Sequence, residues 1–203
     1  MRPKSRNRRV CTYLLILNLL AVMLTGCGSS TTGQGKNTDG ANGKIPQIEG
    51  LTYEKSVDFT YAECLVIYQY EGGYSLVDIF DDARYLIVPE GGSVPENLEE
   101  DITVIRQPVN DIYLGATAVM SLFDAIDGLD HISMTSLKES GWTVENAAAR
   151  MKEGKIVYAG KYSEPDYEMI LEKGCQLAIE STMIYHTPDV KEMLEELGIS
   201  VLV

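Results

Sequence analysis

KIVYAGKYSEPDYEMILEKGCQLAIE, residues 155–180, holds a complete strand–helix–strand unit. Lys155 to Tyr158 is a short, largely apolar strand. Ser163-Glu164-Pro165-Asp166 opens a helix: serine as N-cap, proline in the first turn, and an acid near the positive helix end. The helix closes at Gly174, and Leu177 to Ile179 is a second strand. A helix between two such strands predicts parallel pairing with a right-handed crossover.

The same pattern extends in both directions. Downstream, Thr187-Pro188-Asp189 repeats the cap chemistry, Gly198 ends the last helix, and Ile199 to Val203 is an apolar strand. Upstream, Ile102 to Ile105 is a strand followed by the Pro108-Val109-Asn110 loop. Ile112, Ala116, Val119, Met120, Phe123 and Ile126 then trace one helical face, with Gly128 as its C-cap. Next come a strand around His131 to Met134, a loop through Ser140-Gly141-Trp142, and a helix from Thr143 to about Glu153. Alternating strands and helices over residues 91–203 predict an α/β lobe, a parallel sheet with helices on both faces.

Residues 51–90 read differently, as a small antiparallel β-meander. Tyr61 to Tyr70 is rich in aromatic and β-branched residues, Glu71-Gly72-Gly73 is a hairpin signal, and Tyr74 to Phe80 is the next run. Asp81-Asp82 turns the chain into Arg84 to Val88. Pro89 to Glu100 is a loop.

The first 26 residues have the character of an export leader. Arg2, Lys4, Arg6, Arg8 and Arg9 precede an apolar run from Val10 to Leu24, interrupted by Thr12 and Asn18 and too short for a comfortable membrane span. The run ends in Leu24-Thr25-Gly26-Cys27, which resembles the bacterial lipobox and marks Cys27 for diacylglyceryl transfer before cleavage. Residues 27–50 are rich in Gly, Ser, Thr, Asn and Gln and predict a flexible tether. The expected location is the outer face of the cytoplasmic membrane, with the membrane engaged through the lipid.

Removing residues 1–26 takes away five of the 17 bases and none of the 30 acids, moving the formal charge from −13 to −18. So acidic a surface repels polyanions, which excludes nucleic acid as a partner. Only Cys64 and Cys175 remain in the folded part; without a spacing pattern they read as two buried free thiols. His131 and His186 are 55 positions apart and have no neighbouring Cys or His ligands, so no metal site is expected. There is no nucleophile elbow, Walker loop or dinucleotide-binding glycine pattern, so neither a cofactor nor an enzymatic activity is expected.

In an open α/β sheet, ligands bind outside the carboxyl ends of the strands. The loops in question present Asn110 and Tyr113, then Trp142, then Tyr162 and Ser163, then Met183, Tyr185 and His186. Aromatic rings with polar tips suit a bulky, flat or amphipathic ligand, because they supply large contact area at little entropy cost.

The order of these segments resembles the substrate-binding lipoproteins of iron–siderophore, haem and cobalamin ABC importers. The resemblance lies in Pro108 to Tyr113, in Tyr158 to Leu171 with its Gly160, Tyr162, Pro165, Glu168, Ile170 and Leu171, in Leu177 to Thr182, and in Lys191 to Val203 with Leu197-Gly198-Ile199-Ser200-Val201. It covers about residues 101–203, with the lipobox and tether in the family's places. The resemblance implies capture of a bulky chelate such as a ferric siderophore, without covalent chemistry, and delivery to an ABC permease that docks on Glu168. It also implies two α/β lobes joined by a long helix. The sequence ends at Val203, where the family continues into its second lobe, so one lobe, half of a cleft and weak binding are expected. The rival readings are a surface lipoprotein with a structural or protein-binding role, and a lipid-anchored enzyme, which would need a nucleophile–base pair at the strand ends.

Overall fold

The computed structural model describes residues 44–57, 59–80 and 82–203. The leader, Cys27 and most of the tether lie outside the described residues.

The first sheet is built on period-two alternation. In β2 (Leu65–Tyr70), Val66, Tyr68 and Tyr70 point to one face and are buried. β1 (Tyr53–Val57), β2, β3 (Tyr74–Ile79) and β4 (Ala83–Val88) form the antiparallel meander in sequence order. The expected first strand is shortened: Tyr61 is exposed and β2 begins only at Leu65. Cys64 sits in this exposed approach, so the two cysteines differ from expectation, Cys64 being free and exposed while Cys175 is free and buried.

β5 (Ile102–Arg106) pairs in parallel with β4 and completes this five-stranded sheet. The sequence pattern assigned Ile102 to Ile105 to the parallel sheet instead. The reason lies in its two covered faces, of which only the one carrying Ile105 is buried. Ile102 and Val104 pack into the meander's own core, with Tyr68, Tyr70, Leu76, Leu86 and Ile48. Ile105, on the opposite side, packs against the second sheet. A strand covered on both sides is apolar throughout and does not reveal its partner. Arg84 in β4 fixes the junction, its Nε 2.7 Å from Asp101 and its Nη2 2.5 Å from Glu99.

The second sheet is entirely parallel, in the order β12 (Ser200–Leu202), β11 (Leu177–Ile179), β6 (Ile112–Leu114), β7 (Ile132–Thr135), β8 (Val157–Tyr158). Its central strand, β6, is the second correction. Ile112 was expected to begin a helix, but all three β6 residues are buried, and the helix α1 (Met120–Ala125) starts only after Gly115 and a 3-10 turn at Thr117–Val119. A strand buried on both faces places apolar residues at helical spacings by coincidence.

α1 and α2 (Glu145–Lys152) cover one face of this sheet, contributing Met120 and Ala147. α3 (Tyr167–Glu172) and α4 (Pro188–Glu196) cover the other with Ile170, Val190 and Leu194. The cap of α3 also departs from expectation. Gly160–Lys161 (β9) and Glu164–Pro165 (β10) form a small antiparallel ribbon with Ser163 in its turn, so Asp166 becomes the N-cap, accepting from Met169 N at 3.0 Å. Gly160, at φ 83°, is required there because a Cβ would run into the backbone of Glu164 to Asp166.

The two sheets share a core. Tyr85 and Ile105 from the first sheet are buried among Ile112, Leu114, Leu177 and Ile179 of the second. The Tyr85 hydroxyl donates to Val201 O at 3.2 Å, and the Ser200 hydroxyl donates to Val104 O at 3.0 Å. Each such hydrogen bond adds about 1 kcal/mol, whereas each buried large side chain adds about 1.5–3 kcal/mol, so apolar burial dominates the junction.

Candidate functional site

From β6 the chain winds outward one way, through α1 to β7 and α2 to β8. From β11 it winds the other way, through α4 to β12. The reversal places a topological switch point between β6 and β11, the position at which open α/β sheets bind their ligands.

The residues just past the strand ends there are Gly115 and Glu180. Parallel register pairs Ala178 with Tyr113 and Ile179 with Leu114, so Glu180 lies beside Gly115. Glu180 is only 3% exposed. Its carboxylate packs on the Gly115 Cα, in the space a side chain at 115 would occupy. The nearby donors are already engaged: Gly115 N and Ala116 N both donate to Ile179 O at 2.9 Å, and the Ser136 hydroxyl donates to Gly115 O at 2.9 Å. Neither Glu180 carboxyl oxygen has a hydrogen-bond partner. Burial alone pushes the carboxyl up to about 8, so near neutral pH it is held mainly as the uncharged acid.

Tyr113 shares this face of the sheet, two residues back along β6. Its side chain is fully buried and its hydroxyl is likewise without a partner. Burial first, and then the Glu180 carboxylate, push that hydroxyl well above the usual tyrosine range.

Around this centre the carboxyl edge carries most of the residues anticipated from sequence. After β11, the 3-10 turn Thr182–His186 presents Met183 and Tyr185, each about half exposed, and an exposed His186. Buried Ile184 anchors this turn, and the Tyr185 hydroxyl donates to Asp82 at 3.2 Å. After β8, half-buried Tyr162 and Ser163 occupy the turn of the β9–β10 ribbon. After β7 come Lys138, whose Nζ stands 5.4 Å over the Tyr158 ring, and Trp142, half-buried with its indole N–H donating to Leu137 O at 3.3 Å.

The chain is similar to an archaeal lipoprotein. An uncharacterized lipoprotein of Methanocaldococcus jannaschii is 25% identical to it over 182 residues. The match takes in 78% of this chain and 44% of that relative, so the chain spans less than half the relative's length. No protein-family model and no solved structure matches the chain.

Two anticipated contact residues fall elsewhere. Because β5 belongs to the first sheet, the Pro108-Val109-Asn110 loop leads into the amino end of β6. Exposed Asn110 is therefore at the opposite edge, its Oδ1 2.9 Å from His131 Nδ1. Tyr113 is interior and offers no surface. That amino edge has its own open groove of about 460 Å³, lined by Val104, Ile105, Arg106, Val109, Leu177 and Ser200. Glu168 is exposed in the first turn of α3.

Glu180 was not anticipated. A sequence signal did exist: an acid directly after the apolar Leu177-Ala178-Ile179, in a chain whose central strand ends in glycine. Reading it required knowing that β6 and β11 are neighbours.

Proposed function

We propose that this chain is the ligand-capturing lobe of a lipid-anchored solute-binding protein, which hands a bulky chelate of the siderophore, haem or cobalamin kind to an ABC permease. The observation carrying this reading is the switch point between β6 and β11, with Met183, Tyr185 and His186 exposed on the turn leaving β11 and Tyr162 at the turn beyond β8. β11 and β8 are three strand spacings apart, about 14 Å, a span suited to a ligand much larger than an amino acid or sugar. Lipid attachment at Cys27 is supported by the basic leader, the lipobox and the lipoprotein relative. Glu168 would meet the permease, and no bond of the ligand is made or broken.

The strand-end loops form one wall of a cleft, so the affinity they supply by themselves is expected in the micromolar range or weaker. Titration of the chain with haem, cobalamin and a ferric hydroxamate tests the reading. Saturable one-to-one binding to one of them supports it, and no binding at millimolar ligand opposes it.

A surface lipoprotein that binds another protein is the second reading. It is favoured by α1 and its C-cap, where Leu122 and Ile126 are 63% and 75% exposed. Under that reading, substituting those two residues abolishes partner capture while substitutions on the turn after β11 do not.

A further inference from the structure

Glu180 has no task in the packing described above. Burying a carboxyl group with neither oxygen hydrogen-bonded costs stability, and a methylene side chain of similar size would fill the space beside Gly115 without that cost. No cation faces it: among the described residues, each ion pair lies elsewhere, on Arg84, Arg150, Lys155 and Lys191. The group nevertheless sits at the switch point and directly precedes exposed Ser181, Thr182 and Met183, so it lies one residue below the surface of the turn.

We infer that Glu180 is the counter-ion for a positively charged group on the captured ligand, an ammonium or guanidinium brought to the switch point between β6 and β11. This deepens the proposed function and rests on it: among bulky chelates, the site selects those that carry positive charge.

Three further observations agree. A buried carboxylate gains more from pairing with a cation than an exposed one does, because the pair is not screened by water, and the cation supplies the missing hydrogen-bond donors. The mature chain's formal charge of −18 attracts cations and repels anionic chelates over distances beyond contact. The same edge already holds one ammonium over an aromatic ring, Lys138 on Tyr158, and the turn leaving β11 exposes a second ring, Tyr185.

The test uses the full chain in neutral detergent at pH 7 and a matched pair of probes: ferrioxamine B, which carries a free ammonium, and the same chelate acetylated on that amine. Wild type is expected to bind the cationic form at least about tenfold more tightly, a ratio equal to about 1.4 kcal/mol. Glu180→Gln, which keeps the shape of the neutral acid, is expected to bring the ratio to about one while leaving the far-ultraviolet circular dichroism unchanged. Equal affinity of wild type for the two chelates overturns the inference and leaves the capture function standing. A preference that survives in Glu180→Gln also overturns it. Binding of neither chelate, nor of haem or cobalamin, overturns the capture function and the inference together.

Discussion

Glu180 and Gly115 face each other across neighbouring parallel strands, and the Glu180 carboxyl occupies the volume that any side chain at position 115 would need. A residue without a Cβ is thus the condition for burying the acid. Gly115→Ala is expected to expel the carboxyl group or overpack the space it fills, lowering stability by about 1–3 kcal/mol. Glu180→Ala in the same background removes the clash, so a double-mutant cycle by urea denaturation should give a coupling energy of about 1 kcal/mol or more. Additive effects would mean that the two residues do not share the space.

The buried acid also sets a pH dependence. Its value is about 8 in the folded chain against an ordinary 4.5, so the folded state holds a proton that the unfolded state has released throughout that interval. The pH-dependent cost of burying the acid is absent below pH 4.5 and grows as pH rises toward 8. Between pH 5 and 8, wild type is expected to lose on the order of 1 kcal/mol per pH unit relative to Glu180→Gln. Denaturation curves that stay parallel across that range would show a carboxyl in contact with water.

Arg84 closes the first sheet by holding both Asp101 and Glu99 at the start of β5. The Arg84 guanidinium keeps the Asp101 carboxyl below its usual range, so this contribution is present above the ordinary aspartate value and fades as pH falls through it. Arg84→Lys keeps the charge but not the fork, and is expected to destabilise the chain by about 1 kcal/mol, close to Arg84→Gln. Full recovery by lysine would mean that charge alone holds the junction.

The two thiols should separate cleanly. Cys64 is exposed, whereas Cys175 is buried, with burial pushing its thiol up. Iodoacetamide is expected to label Cys64 in the folded chain within minutes and Cys175 only after denaturation. Equal labelling rates, followed by peptide mass spectrometry, would contradict the packing of Cys175 beneath α3.

Much of the α/β pattern was legible because its signals are local. Leu177–Ile179, Pro188–Glu196 and the meander turns each announce themselves through caps, glycines or alternation. Ile102–Ile105 and Ile112–Leu114 were misplaced for one physical reason: a short strand covered on both faces is mostly apolar, so its pattern names neither a partner nor, at three residues, even a strand. The error carried through to the site. Asn110 followed its strand to the wrong edge, and Tyr113 went from a loop to the interior. Tyr162, Ser163, Met183, Tyr185 and His186 lie at the carboxyl edge because they follow strands that do belong to the parallel sheet. Glu180 escaped because its meaning depends on a neighbour 65 positions away in sequence.

Under the proposed function, ligand meets this chain at the carboxyl edge of the parallel sheet. Backbone amide NMR of the full chain, titrated with a diamagnetic gallium hydroxamate chelate, addresses it residue by residue. The expected shifts fall on Gly115 to Thr117, Lys161 to Ser163 and Ser181 to His186. Shifts confined instead to Val104 to Val109, Leu177 and Ser200, around the groove at the amino edge, would contradict the account.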